Sequence, residues 1–166
     1  MRRAAITPAL WLAFGGAALP TGPSAQALVE CRVSYEEAVG ALAGLRVTET
    51  YDKSVAPDIN IRRHYDYPAG LTVFGFPARS FAATEIRKDG IEHLSIMAII
   101  DAPFETVVAA SLKSHGLTQC GARETINNRL ACAIPVGGTR IRPKNLMIRE
   151  GEGKTGVGCS YSRRVS

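Results

Sequence analysis

The chain has 166 residues, 46% of them hydrophobic, and carries 20 Lys and Arg against 15 Asp and Glu for a formal charge of +5. That length suits one hydrophobic core and is short for two ordinary domains, and a charge of this size favours solubility without by itself implying a nucleic-acid or membrane partner. No low-complexity tract and no fixed-period repeat is legible, which excludes disordered and solenoid classes.

The N-terminus reads as a secretory signal. Arg2 and Arg3 form a positive n-region, Ala9 to Leu19 a short apolar run, and Ala25-Gln26-Ala27 a small-x-small cleavage site. A membrane span needs about 20 apolar residues, and Gly15, Gly16, Pro20 and Pro23 interrupt this one. The expectation is a cleaved leader over residues 1–27 and a single domain over 28–166, beginning at Leu28, exported to the periplasm or the extracellular space and free of a transmembrane segment. Losing Arg2 and Arg3 lowers the formal charge by two, to +3. Cys31 follows Glu30 rather than a small residue, so it is not expected to carry lipid.

Ser34 followed by Glu37 is a capping box, with Val33 and Ala38 placed as a hydrophobic staple. A helix is therefore predicted from Tyr35, with Tyr35, Ala38, Val39, Leu42 and Leu45 as its apolar stripe and Gly44 at its end. The small residues Ala38, Gly40, Ala41 and Ala43 suggest a close approach to a sheet. Strands are predicted next over Arg46 to Tyr51, Asp58 to Tyr67, Leu71 to Phe76, Ala78 to Lys88 and Ile91 to Ile100. Asp89-Gly90 between the last two is a type I′ hairpin signal. Asp101 offers an N-cap for a second helix, whose stripe is Phe104, Val107, Val108, Leu112 and His115 and whose stop is Gly116. From Leu117 the chain returns to strands, with turns at Asn127-Asn128 and over Glu150 to Lys154. Helices interrupting runs of hairpin-linked strands predict an α+β fold, an antiparallel sheet with two helices packed on one face.

All four cysteines survive removal of the leader. An even count in an exported chain reads as two disulfides with three possible connectivities. Zinc is disfavoured, because no cysteine pair has the two-to-four residue gap of a structural site and no histidine falls at a matching spacing. The pairing expected is Cys120 with Cys132, around the turn at Asn127-Asn128, and hence Cys31 with Cys159. A two-residue turn would place Arg123 rather than Cys120 opposite Cys132, so the short bridge is expected to need a longer loop or a bulge.

Candidate chemistry is sparse. His64 and Asp66 fall two apart on one strand face, alternating with the core positions Ile59, Ile61, Tyr65 and Tyr67, which makes them an exposed polar pair before a metal or base site. His93 has no partner that spacing identifies, and His115 sits where a helix C-terminus favours a cation. No GxSxG elbow is present. Gly151-Glu152-Gly153-Lys154-Thr155 fails as a phosphate loop, since Ile148 stands where the earlier glycine belongs. No cofactor and no metal site is expected.

Seven basic residues against two acidic ones fall between Thr139 and Ser166. Arg140, Arg142, Lys144 and Arg149 are thus the candidate binding residues, for an anionic envelope component or an acidic protein surface; solvated edge protection is the alternative. Tyr161 is the one aromatic residue of that segment, against the interleaving that single-stranded nucleic acid requires. The function expected is an exported, non-enzymatic binding or envelope-associated protein. The alternatives are an assembly component of the envelope and a small exported hydrolase. A deep pocket lined by His64 or His93 would favour the hydrolase.

Overall fold

A computed structural model describes residues 23–67, 69–139 and 143–165. Its elements, in chain order, are α1 (Ala25–Val29), α2 (Tyr35–Ala43), β1 (Val47–Asp52), β2 (Ile59–Tyr65), β3 (Thr72–Val73), β4 (Phe76–Lys88), β5 (Ile91–Ile100), α3 (Phe104–Ser114), β6 (Ala122–Ile126), β7 (Arg129–Gly138), β8 (Pro143–Glu150) and β9 (Thr155–Arg164). The strands form one antiparallel sheet in the order β1-β2-β4-β5-β9-β8-β7-β6, with β3 paired to β4.

That order follows from two similar units. A helix and a four-stranded meander, α2 with β1, β2, β4 and β5, are followed by a second helix and meander, α3 with β6 to β9. The last strand of each unit, β5 and β9, pair at the centre over ten residues from Ile91↔Arg164 to Ile100↔Thr155. The strand order therefore reads alike from either edge, an approximate two-fold plan that no repeat in the sequence announces.

Local chemistry sets most boundaries. The Ser34 hydroxyl accepts the Glu37 N–H, and the Glu37 carboxylate accepts the Ser34 N–H, a reciprocal cap that stabilises α2 by about 1 kcal/mol. Val33 and Ala38, the two ends of the staple, are both buried. Asp89 and Gly90 take φ of 51° and 70°, and Asn127 and Asn128 take 51° and 61°, so both hairpins close on two-residue turns of the primed type.

Four expectations change. A third helix, α1, occupies the segment read as the cleavage site, with Ser24 as its cap and Ala25, Leu28 and Val29 in the core. Asp101 does not cap α3: Pro103 holds that place without a side-chain cap, and Asp101 pairs instead with Arg79. The stretch Leu71 to Phe76 is not one strand, because Phe74 and Gly75, at φ of 50° and 87°, turn β3 back onto β4. The disulfides are Cys31–Cys159 and Cys120–Cys132, yet the short one needs neither loop nor bulge. Arg123 does oppose Cys132 in the ladder. Cys120 lies just before β6, where Gly121 donates to the Ala133 carbonyl at 2.9 Å, and the bridge closes over a Cα–Cα distance of 5.7 Å. A Cβ on Gly121 would meet the ring of the exposed Pro135 at 2.6 Å, so any other residue there would force that ring to shift.

The core lies on one face of the sheet. Alternation puts Leu94, Ile96, Ala98 and Ile100 of β5 beside Val157, Cys159 and Tyr161 of β9, with Leu146, Ile148, Cys132 and Ile134 beyond, and all of these are buried. Leu28 and Val29 of α1, Ala38 and Leu42 of α2, and Phe104, Val107 and Val108 of α3 join the same cluster. All three helices thus cover one face. The opposite face carries His93, Ser95, Met97 and Ile99 of β5, beside Gly156, Gly158 and Ser160 of β9.

Candidate functional site

The two helix–meander units differ in how their helices meet the sheet. Phe104, Val107, Val108 and Ser111 bury α3 along its length. Only Ala38 and Leu42 are buried in α2, and Val39, in the predicted stripe, is 44% exposed. Of its small residues, Ala38 is buried and Ala41 packs against the core, but a Cβ on Gly40 would meet nothing within 4 Å and Ala43 is exposed. A cleft of about 620 Å³ is left between α2 and strands β1, β2, β4, β5 and β9, within the range of small-molecule sites. Its apolar lining includes Val39, Leu42, Val47, Tyr65, Ala83 and Leu94.

Charged residues on the sheet stand in phase with that apolar lining. Glu92 is two positions before Leu94 on β5 and is 3% exposed. Its Oε1 accepts from Arg87 Nη2 at 2.7 Å, and its Oε2 accepts from Arg163 Nε at 2.5 Å and from the Tyr35 hydroxyl at 3.0 Å. Arg87 above all holds the Glu92 carboxyl below its usual range, against the opposing effect of burial, and Arg163 and Tyr35 add to this. Burial first, then Glu92, pushes the Tyr35 hydroxyl up to about 12, so it remains a donor. The Arg163 guanidinium also lies over the Tyr35 ring, 4.2 Å from its centroid. Farther along the cleft Arg63 meets Glu85 at 3.4 Å, with each side chain about one-third exposed.

A second, smaller cavity of about 270 Å³ adjoins at Tyr35, Glu36 and Arg163 and is also lined by Lys144 and Tyr161. Lys144 donates to the Val33 carbonyl at 3.3 Å, and Tyr161 donates to the same oxygen at 3.2 Å. These bonds fix the chain entering α2, as does the Cys31–Cys159 bridge. The N-terminal end of α2 is therefore anchored by Val33, Tyr35 and Cys31, while its C-terminal half stands over the cleft.

The residues singled out in the sequence are dispersed. Arg140 and Arg142 lie outside the described residues. Lys144 and Arg149 sit five apart on β8 and so point to opposite faces. His64 is on β2 with its ring edge to Tyr51 at 5.9 Å. His93 is on the face away from the helices, its Nδ1 2.7 Å from Ser162 Oγ and its Nε2 3.2 Å from Ser160 Oγ. Burial, then the nearby Arg149 cation, lowers its basicity. Neither histidine lines the cleft. His115 caps α3 and packs against Phe74. Among the described residues no group of three His, Cys, Asp or Glu side chains is placed to hold a metal ion, and no helix is long and apolar enough to cross a membrane.

The sequence reading missed Arg63, Glu85, Glu92 and Arg163. A signal for Glu92 was present: it falls in the alternation of Leu94, Ile96, Ala98 and Ile100, and a charged residue in phase with a core stripe must be paired. Set against known protein families, curated proteins and solved structures, the chain matches none.

Proposed function

We propose that this protein is an exported, non-enzymatic binding module that takes a small, largely apolar ligand in the cleft beneath α2. The observation that carries the reading is the cleft itself: about 620 Å³ of space beside a helix that buries only two of its residues, over an apolar floor. The charged groups on the cleft's sheet side are paired rather than poised for catalysis, since Glu92 takes four donor contacts from three residues and Glu85 faces Arg63, while Glu36 of α2 lies exposed at the rim. A general base needs an accessible lone pair near a substrate, and the histidines stand elsewhere. Export is supported by the leader pattern and by two disulfides among the described residues, a device of oxidising compartments.

Two measurements test this. Mass spectrometry of the exported protein should find an N-terminus at Leu28, a cut that falls inside α1 and leaves Leu28 and Val29 to the core; retention of Met1 overturns the leader. A neutral, environment-sensitive apolar dye should bind with one site per chain, and Ala83→Trp, which fills the cleft floor, should abolish binding while leaving the thermal transition cooperative. Undiminished binding by Ala83→Trp would place the ligand elsewhere.

A further inference from the structure

Resting on that reading of the cleft, we infer that α2 is a lid, hinged at Tyr35 and latched by Leu42, and that the ligand enters and leaves beneath its C-terminal half. Polar ties hold the helix at one end. Cys31 is bonded to Cys159 of β9, the Val33 carbonyl accepts from Lys144 and Tyr161, and Tyr35 donates to Glu92 beneath the Arg163 guanidinium. All of these fall at or before the first residue of α2. From Glu36 to Leu45 no hydrogen bond reaches the sheet among the described residues, so apolar contact has to hold that stretch down.

In the second half of α2 that contact rests on Leu42, which is buried, with Ala41 partly buried beside it, while Val39 and Ala43 are exposed. The chain beyond the helix adds little. Leu45 packs partly buried, and Arg46 meets Asp66 through one backbone hydrogen bond and an ion pair between exposed side chains, a weak tie. β1 then runs along the sheet's edge with every residue exposed and its register on β2 broken between Val47 and Glu49. The corresponding helix of the other unit, α3, is buried from its first turn to its last by Phe104, Val107, Val108 and Ser111. A segment held as α2 is opens at a lower free energy than the whole domain unfolds, and a hinge needs a change at only a few residues beside the anchor. Opening joins solvent to the cleft between Val39, Ala43 and Val47 on one side and Tyr65 and Ala83 of the sheet on the other.

The test is hydrogen exchange of the mature protein with its disulfides intact, read by mass spectrometry with and without Nile red, a neutral apolar dye. In the free, unaltered protein the amides of Val39 to Gly44 are expected to exchange faster than those of α3 by about tenfold or more. Dye at about ten times its Kd should slow Val39 to Gly44 about tenfold, because an open lid cannot hold it. Val108→Ala, which loosens the core under α3, should speed exchange in α3 and leave Val39 to Gly44 unchanged, since a lid opens without unfolding the domain. Leu42→Ala should speed Val39 to Gly44, and no change there would remove the latch. Equal exchange in α2 and α3, or acceleration of both by Val108→Ala, would overturn the lid. Bound dye that leaves Val39 to Gly44 unslowed would show that ligand does not pass beneath α2. Failure of the dye to bind would overturn the cleft reading instead, with the lid still judged by exchange in the free protein.

Discussion

Arg163 lies over the ring of Tyr35, and both side chains donate to the same oxygen of Glu92. Tyr35 opens α2, Glu92 is on β5 and Arg163 ends β9, so three residues from distant parts of the chain fix where α2 meets the sheet. The cleft begins where this anchor stops.

Tyr35→Phe removes one hydrogen bond to a charged acceptor while keeping the ring under Arg163. A loss of about 1.5 kcal/mol is expected, read as a lower denaturant midpoint with an unchanged slope. No loss would mean that Arg87 and Arg163 alone satisfy Glu92 and that the helix is held by the bonds to Val33.

Glycine is required at Gly158 for a different reason than at Gly121. A Cβ at Gly158 would fall 1.9 Å from the Ile96 carbonyl oxygen and 2.6 Å from Met97 Cα, both backbone atoms at the centre of the sheet. At Gly121 it would meet a proline ring at 2.6 Å, which has some room to shift. Gly158→Ala should therefore be the more damaging, costing upwards of about 3 kcal/mol, with Gly121→Ala nearer the 1–3 kcal/mol of ordinary overpacking. Thermal unfolding of the two variants would reverse this order if β5 and β9 can part more easily than β6 and β7.

The two disulfides close loops of very different length, with sequence separations of 128 and 12. In the chain-entropy description the long bridge contributes about 5 kcal/mol and the short one about 3. Replacing Cys31 and Cys159 together by Ala should then destabilise more than replacing Cys120 and Cys132. Trypsin cuts at Arg123 and Arg129, between the cysteines of the short bridge, so a non-reducing digest should return their peptides joined. Recovery of Cys31 linked to Cys120 or Cys132 would contradict the pairing.

Stability should fall in two stages on acidification. Burial, aided by Arg149, lowers the basicity of His93 from its ordinary 6.5, and burial, aided by Arg32 and Lys144 against the opposing pull of Glu30, does the same to His115. The unfolded chain then binds these protons more readily, so this part of the stability is complete above about pH 6.5 and declines as pH falls toward the folded-state values. Glu92, held down chiefly by Arg87, and Glu30, where Arg32, the Phe74 N–H and Gln26 outweigh burial, both sit below their ordinary 4.5. Their contribution is present above that value and lost below it. His93→Gln should reduce the upper stage between about pH 7.5 and 5.5 in denaturant titrations to the part carried by His115 and leave the lower one; a pH profile identical to that of the unaltered protein would show that His93 does not contribute.

What the sequence determined by itself was local. The reciprocal cap of Ser34 and Glu37, the turns at Asp89-Gly90 and Asn127-Asn128, and the alternation from Ile91 to Ile100 each depend on residues a few positions apart, whose dihedral preferences and periodicity act before any tertiary contact forms. They sufficed for an α+β fold with an antiparallel sheet, and the turn at the asparagines led to the right disulfides. The same local reasoning failed where the cue was ambiguous: Asp101 has the chemistry of a cap but finds Arg79 instead, and no helix was expected over Ala25 to Val29, where a cleavage pattern and a short helix can coincide. Only the tertiary structure decided the two-fold order of strands, the stand-off of α2 and the charges of the cleft. Glu92 meets Tyr35 across 57 positions and Arg163 across 71, distances over which neither spacing nor propensity carries information. Their contact is set by the register of β5 on β9, which slides or holds as a whole according to how many buried side chains and ladder bonds along both strands are satisfied at once.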